Sequence, residues 1–475
     1  STPSNSSAAS DVYKRQVGRI IEYGGDGLKS LSIPERATIA NMGAELGVTT
    51  SIFPSDEMTR EFLRAQARED VWEEVIPDRN AQYERVMEIN LEKIVPLIAQ
   101  PHSPDNVSSV EEVEGKKVEQ VIIGSCTNSS YLDLMLAAYM LEGKKVHPEV
   151  SFVIAPGSRQ VLKMLADNGA LSTFIQAGAR IAEAACGFCI GNSQAPETNG
   201  VSLRTNNRNF KGRSGTKSAY VYLVSPQTAV ASALRGVITD PRRLGLNYPK
   251  ISLPERFEVD DSLILPPSKK QKNIPIYRGP NIGKLPQNVA LPDKISGQIT
   301  IKVGDKITTD HIMPAGKRLK YRSNIPRYAQ YVFEEVDSSF SSRCLENKQK
   351  GKDNFILAGE SYGQGSSREH AALCPMYLGV RVVIAKSLER IHQANLINYG
   401  ILPLNFVNPQ DYNKIEPGDE VEISQIKNSL LKSKNLILKN KNKDFEIELT
   451  YNLSEREKQI LLAGGVLNYF REKKR

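Results

Sequence analysis

Apolar residues along the chain form short continuous runs that alternate with stretches of helical periodicity. The run VEQVIIGSC (118–126) is rich in β-branched residues and ends in a turn, as a buried parallel strand does. It is followed by YLDLMLAAYMLEGK (131–144), whose apolar residues recur at helical spacing. A second strand, SFVIAPGS (151–158), and a second helix, RQVLKMLADNGA (159–170), repeat the order. This β-α-β alternation predicts an α/β fold in which helices cover a parallel sheet.

A second α/β region follows a segment of different character. Residues 246–290 are rich in proline and lysine and lack periodicity, which predicts a linker. The alternation then resumes, with predicted strands at 354–360, 380–387 and 401–406 and predicted helices at 366–379 and 388–400. The alternating segment DFEIELTYNL (444–453) predicts a β-rich end.

The N-terminal segment differs from the rest of the chain. Residues 1–16 are rich in serine and lack the apolar stretch of a signal peptide, so we predict a disordered leader or an artificial remnant. The abrupt change at Val17 predicts that the sequence begins part-way through a larger protein. The predicted parts after the leader are an α/β domain (17–117), a second α/β domain (118–245), the linker (246–290) and a C-terminal β/α domain (291–475).

Composition excludes several classes of protein. Of 475 residues, 40% are hydrophobic and 24% are charged, which argues against a disordered, collagenous or membrane-spanning chain. The net charge of +8 suits an anionic small molecule and a nucleic acid equally. The five cysteines are too few and odd in number for a disulfide framework, so we expect a reducing, cytoplasmic setting.

Three cysteines lie in turn-rich sequence. Cys126 follows the first strand in GSCTNS, and Cys186 and Cys189 form CGFC. Backbone N–H groups in such turns can point at sulfur and stabilise its negative charge. Three thiolates would leave one iron of a cubane cluster without a protein ligand, whereas a zinc site or structural thiols would use the same residues differently. The spacing leaves these readings open.

Arginines recur in two glycine-containing segments. NRNFKGR (207–213) carries Arg208 and Arg213, and YGQGSSREH (362–370) places two glycines and two serines before Arg368. Glycines allow close backbone approach, and an arginine adds a two-pronged donor. The second segment therefore predicts a carboxylate or phosphate cradle, with helix capping by Ser366 as the simpler alternative.

The order of these motifs resembles the aconitase family. The matching segments are TIANMGAELGVTTSIFPSD (38–56), GSCTNS (124–129), CGFCIG (186–191), NRNFKGR (207–213), TTDHI (308–312), LKYRSN (319–324) and GQGSSREHAAL (363–373). The resemblance runs from about Val17 to the C-terminus. It implies parallel-sheet α/β/α domains and a C-terminal swivelling domain, with the active site in a cleft between them.

The resemblance also implies a cofactor. Cys126, Cys186 and Cys189 match the ligands of a [4Fe–4S] cluster whose fourth iron binds the substrate's hydroxyl and a carboxylate. Asn41 and Asn207 match residues that hydrogen-bond the cluster or its ligands. The implied reaction is the isomerisation of citrate to isocitrate through cis-aconitate.

Catalytic and substrate-binding roles are implied for further residues. Ser366 matches the base that removes a proton from carbon, with Arg368 and a helix N-terminus stabilising its alkoxide. Glu45 matches a carboxylate near the iron-bound oxygen, and Asp310 and His311 lie in a cleft loop as catalytic or loop-holding residues. The substrate carboxylates are expected to bind Arg208, Arg213, Arg322, Ser367 and Arg368.

This sequence departs from the family pattern in one respect, and other functions are alternatives to the aconitase reaction. Family members have a further N-terminal domain that supplies substrate and acid–base residues, and we find no counterpart in residues 1–40. We therefore expect this chain alone to be weakly active or inactive, and a monomer if complete. Four alternatives to the aconitase reaction remain. The chain could be a homoaconitase, a 3-isopropylmalate dehydratase, a protein that binds RNA in its cluster-free form, or a catalytically dead fragment.

Overall fold

The chain forms two compact units. The computed structural model describes residues 19–249, 251–269, 274–275, 277–314, 316–365 and 368–473, so the predicted leader lies outside the described residues. The units meet in sequence between Ser268 and Lys269, inside the predicted linker 246–290. Part of that linker belongs to the first unit, because the Phe257 N–H donates to the Ala65 carbonyl at 2.7 Å.

The first unit contains two sheets. Two short strands, β1 (Ile20–Glu22) and β2 (Thr50–Ile52), pair in parallel. A seven-stranded sheet follows in the order β4-β3-β9-β8-β5-β6-β7. Its strands are β3 (Leu97–Ala99), β4 (Val107–Ser109), β5 (Gln120–Ile123), β6 (Ser151–Ile154), β7 (Arg180–Ile181), β8 (Val201–Arg204) and β9 (Tyr220–Leu223).

The five strands from β5 to β9 are parallel, which confirms the predicted α/β class. The α-helices of this unit are Ile33–Gly43, Glu57–Ala65, Tyr131–Leu141, Arg159–Asp167, Ala170–Ala177 and Pro226–Arg235. All four residues of strand β5 are buried, as its apolar residues Val121, Ile122 and Ile123 predict. Helix Tyr131–Leu141 packs beside helix Pro226–Arg235, and both contribute to the main apolar core.

The predicted boundary between residues 117 and 118 does not divide this unit. Strands β3 and β4 add antiparallel to one edge of the parallel sheet, where Ala99 pairs with Leu223. The pairing joins residues more than a hundred positions apart. Local periodicity carries no information about such partners, which explains why the sequence suggested two domains.

The second unit is built on a closed barrel of seven strands, β10-β11-β12-β13-β16-β15-β14. The strands are β10 (Ile295–Val303), β11 (Asp353–Ala358), β12 (Val380–Ala385), β13 (Leu402–Phe406), β14 (Glu420–Ile423), β15 (Leu436–Asn440) and β16 (Phe445–Thr450). Strands β10 to β13 run parallel, and β14 to β16 pair antiparallel. The barrel therefore combines the predicted strand–helix repeats with the predicted β-rich end.

Alternate residues of the barrel strands belong to two separate cores. Phe355 and Leu357 of β11 join one apolar cluster, whereas Ile356 and Ala358 join another that includes the surrounding helices. The α-helices of this unit are Thr309–Ile312, Ile325–Tyr328, Phe340–Gln349, His370–Tyr377, Arg390–Asn398, Ile426–Leu431, Glu455–Leu462 and Val466–Lys473. No helix among the described residues of either unit is long and apolar enough to cross a bilayer.

The barrel generates a stability prediction at Gly297, which pairs with Asp353 on β11. A Cβ at residue 297 would lie 1.8 Å from the Asp353 carbonyl oxygen, so Gly297→Ala must separate two barrel strands. We expect a loss of about 1–3 kcal/mol in the free energy of unfolding, measured by urea titration with far-UV circular dichroism.

Gly304→Ala is the matched control, because a Cβ there would meet no atom within 4 Å. Its unfolding free energy should stay within about 0.5 kcal/mol of the wild-type value. Equal losses for the two variants would contradict the proposed constraint on β10 and β11.

Candidate active site

The loop that carries Cys126 leaves the carboxyl end of β5 and is held by the end of β8. The Gly124 N–H donates to the Thr205 hydroxyl at 2.9 Å, and that hydroxyl lies 2.9 Å from the Gly124 carbonyl. Ser125 has a φ of 83°, in the left-handed region that non-glycine residues seldom adopt. Its Oγ accepts the Thr127 N–H at 3.1 Å, which turns the chain at Cys126.

The loop that carries Cys186 and Cys189 packs against the first loop. A Cβ on Gly124 would lie 2.7 Å from the Phe188 ring, so glycine is required for this approach. Gly191 has a φ of 75°, and a Cβ there would lie 2.2 Å from the Ser214 carbonyl oxygen. Two glycines thus bring the CGFC loop against the Cys126 loop on one side and the Arg213 loop on the other.

The three predicted thiols share one neighbourhood. Burial raises the pKa of Cys186, the charges of Cys126 and Cys189 raise it further, and Arg213 lowers it. All three cysteines are free; Cys189 is buried, and the other two are exposed. The Asn206 side-chain N–H donates to the Cys189 sulfur at 3.2 Å.

Helix Ile33–Gly43 and the turn after it bring amide and carboxyl groups to the same region. The Asn207 side-chain N–H donates to the Asn41 Oδ1 at 3.2 Å, and Glu45 pairs with Arg208 at 2.7 Å. The Thr38 hydroxyl ties this helix to the Cys126 loop by donating to the Thr127 carbonyl at 2.6 Å.

The Glu45 carboxyl is almost fully buried, and burial raises its pKa. The charges of Arg208 and Arg213 oppose that shift, but the loss of hydration outweighs them. A carboxyl whose pKa lies above its usual value holds a proton more readily, as a catalytic acid or base must.

A second group of predicted residues lies in the second unit. Arg368 pairs with Asp310 at 2.5 Å and donates to the Met313 carbonyl at 3.2 Å. Burial raises the pKa of Tyr328 to about 12, while the charges of Arg368 and Arg322 oppose the shift. Arg322, Arg368 and Asp310 therefore surround one buried tyrosine.

One sequence expectation needs correction in this second group. The helix begins at His370 rather than at residue 366, so Arg368 precedes it and its guanidinium is held by Asp310 instead of opening the helix. His311 closes a capping box with Thr308, which fixes a helical turn, and the catalytic role considered for His311 stays a prediction. Ser366 and Ser367 lie outside the described residues.

Comparisons with known proteins give matches along most of the chain. Residues 10–236 match the aconitase family (aconitate hydratase), and residues 302–409 match the aconitase C-terminal domain. A probable mitochondrial aconitate hydratase of Dictyostelium discoideum is 32% identical, with 98% of this chain and 68% of the relative covered.

The chain belongs to the aconitase family.

Other members of the family differ in the substrate that their names give. The mitochondrial homocitrate dehydratase of Saccharomyces cerevisiae is 32% identical, with 95% of this chain and 66% of the relative covered. A solved 3-isopropylmalate dehydratase from Methanocaldococcus jannaschii is 32% identical, covers 38% of this chain and 95% of its own, and has a TM-score of 0.31. The chain spans about two thirds of the length of the curated relatives it matches.

The donors of this aconitase-family chain fit an iron–sulfur cluster. Three thiols in turns, one of them receiving an amide N–H, form the soft donor set that iron–sulfur clusters prefer. The described residues contain no group of three His, Cys, Asp or Glu arranged around one metal ion. Each iron of a cubane takes its own thiolate, so cubane ligands lie further apart than the ligands of a single ion.

Sequence reasoning missed several residues that hold these sites. Arg204, Thr205 and Asn206 precede the NRNFKGR motif, and His370 follows Arg368. The N–H of His370 Nε2 donates to the Arg322 carbonyl at 3.0 Å, which ties the arginine's loop to the following helix. The one available signal was Arg204, a charged residue directly after the short β-type run VSL (201–203).

Thr205→Val tests the attachment of the Cys126 loop to β8. The substitution keeps the shape of the fully buried side chain but leaves the Gly124 N–H without its acceptor. We expect a loss of about 1–3 kcal/mol in the free energy of unfolding and faster amide hydrogen exchange in the peptide covering 124–130. The exposed Thr198→Val is the control, and equal exchange rates in the two variants would refute the attachment.

Proposed function

We propose that this protein is a hydro-lyase that interconverts citrate and isocitrate through cis-aconitate, using a [4Fe–4S] cluster held by Cys126, Cys186 and Cys189. The observation that supports this most strongly is the shared neighbourhood of the three thiols, beside Arg213 and near the buried Glu45. When bound, the cluster would supply a Lewis-acid iron that polarises the substrate hydroxyl.

The cationic groups of the first unit suit a substrate with several carboxylates. Arg208 and Arg213 both lower the pKa of Glu45, so both lie near this carboxyl. A tricarboxylate loses its hydration on binding and needs several charge-assisted hydrogen bonds in return. We assign Arg208 and Arg213 to substrate carboxylates, with Asn41 and Asn207 orienting the polar groups beside them.

Glu45 is suited to move a proton at the departing hydroxyl. Its buried carboxyl is held by Arg208 Nε at 2.7 Å, which fixes the orientation of Oε1. Burial raises its pKa, so Oε can carry a proton toward the hydroxyl and take it back during rehydration.

We also assign substrate contacts to residues of the second unit. Arg368 is already ordered by Asp310 and the Met313 carbonyl, so little conformational entropy is lost when it binds a carboxylate. Arg322 is exposed and its backbone is anchored by His370, which suits a second carboxylate contact. Ser366 as the carbon base and Ser367 as a donor stay predictions from the sequence.

Homocitrate is the second candidate substrate, because a homocitrate dehydratase matches the chain as extensively as the aconitate hydratases do. Relative rates on citrate, homocitrate and 3-isopropylmalate distinguish the candidates. Fastest turnover of citrate supports the proposal, and fastest turnover of a longer or isopropyl-bearing substrate refutes its substrate assignment.

Cluster binding is tested by anaerobic reconstitution with iron and sulfide. We expect visible absorbance and an EPR signal after reduction in the wild type, and loss of both in Cys126→Ser, Cys186→Ser and Cys189→Ser, because each removes one thiolate. Cys374→Ala is the control, since this thiol is buried in an apolar cluster of the second unit. Retention of the full signal in any of the three serine variants would exclude that residue as a ligand.

Substrate binding is tested by Arg213→Gln in the reconstituted protein. Losing one charge-assisted hydrogen bond should weaken citrate binding by about 10- to 100-fold in isothermal titration calorimetry. Lys211→Gln removes the same charge from an exposed position in the same loop and should change the affinity little. Equal losses would show that only the overall charge of the loop matters.

A further inference from the structure

Arg204 is a fully buried arginine beneath the CGFC loop. It ends β8, and its exposed fraction is 0%. Its Nη1 donates to the Phe188 carbonyl at 2.6 Å, and its Nη2 donates to the Gln194 carbonyl at 2.7 Å. The guanidinium therefore spans the loop on either side of the segment 189–193.

Two further N–H donors of Arg204 also have neutral partners. Nη2 donates to the Gln120 Oε1 at 2.8 Å, and Nε donates to the Ser202 Oγ at 3.0 Å. Gln120 in turn donates to the Ala195 carbonyl at 3.2 Å, which adds a further anchor to the loop. In the described parts of the chain, no carboxylate pairs with this guanidinium.

A buried cation without a counter-ion is strongly unfavourable. Burial lowers the pKa of Arg204 to about 10, which still leaves the group charged at neutral pH. The negative charge of Cys189 raises the pKa of Arg204 and so opposes the effect of burial. Arg36, a buried arginine of the same unit, in contrast has the usual partner of such a residue, a two-pronged pair with Asp56.

We propose that Arg204 is a positioning residue that braces the CGFC loop and supplies the positive charge that balances the thiolates and the cluster they hold. The inference rests on the proposed cluster. The five N–H donors of a guanidinium lie in one plane, so a single side chain can hold two loop carbonyls and two side-chain oxygens. The negative charge above it makes the burial of the cation tolerable.

The two roles respond differently to substitution. Arg204→Lys keeps the charge but loses the planar fork, so it should release the loop without removing the counter-charge. Arg204→Met removes both. A purely structural arginine would affect folding stability and leave the electronic properties of the cluster unchanged.

The experiment uses the full chain reconstituted with iron and sulfide. We expect iron to transfer to a chelator about 10- to 100-fold faster in both Arg204 variants, as for other residues that orient metal ligands. The midpoint potential, followed by EPR, should move to a more negative value in Arg204→Met, because a reduced cluster loses a neighbouring cation. In Arg204→Lys it should stay close to the wild-type potential.

Arg36→Gln is the control for the loss of a buried arginine in the same unit. It should lower the unfolding midpoint while leaving the iron-transfer rate and the potential of the wild type unchanged. If Arg204→Met does not fold, the iron-transfer rate of Arg204→Lys decides the bracing role, and an unchanged rate overturns the proposal.

The experiment distinguishes failure of the proposed cluster from failure of the inference about Arg204. A wild-type chain that takes up no iron and sulfide refutes the proposed cluster and this inference with it. A wild-type chain that holds a cluster whose iron-transfer rate and potential are the same in folded Arg204 variants refutes the inference alone.

Discussion

The candidate site of the first unit depends on how the end of strand β8 is used. Residues 204–207 follow one another along the chain, and each bonds a different part of the site: Arg204 the CGFC loop, Thr205 the Cys126 loop, Asn206 the Cys189 sulfur and Asn207 the Asn41 amide. Strand β8 ends at Arg204, and the chain bends at residues 206 and 207, so one short segment can contact several loops. Strand β8 lies inside the sheet, which makes this segment a rigid reference for the loops.

Burial of charge gives the site its chemical character. Glu45, Arg204 and Cys189 are all nearly inaccessible to water. Arg204 interacts electrostatically with Cys189, and Glu45 interacts with Arg208 and Arg213. Low hydration strengthens such interactions and makes each residue sensitive to the loss of its partner. The arrangement retains a carboxyl that holds its proton unusually well, and it places Arg213 near the Cys186 thiol and Arg204 near the Cys189 thiol, which suits the proposed dehydration.

The second unit fixes its functional groups by a different means. The loops after β10 and β11 are joined by backbone hydrogen bonds, in which the Gly363 N–H donates to the Ile307 carbonyl at 2.8 Å and the Thr309 N–H donates to the Gln364 carbonyl at 2.9 Å. The TTDH motif and residues 363–365 are therefore parts of one structure at the end of a closed barrel. Closure leaves no free strand edge, so the loops have a rigid base.

The sequence by itself determined the α/β class, the buried strand β5 and the residue types at the site, because apolar periodicity and motif order are local properties of the chain. It also identified Cys126, Cys186 and Cys189 as a set, together with Glu45, Arg208 and Arg213. Tertiary structure decided the rest. The edge pairing of β3 with β9, the closure of the barrel and the position of Arg204 beneath the CGFC loop all join residues that are distant in sequence. The burial of Glu45 and Arg204 arises only once those distant segments have packed together. That burial raises the pKa of Glu45 and lowers the pKa of Arg204.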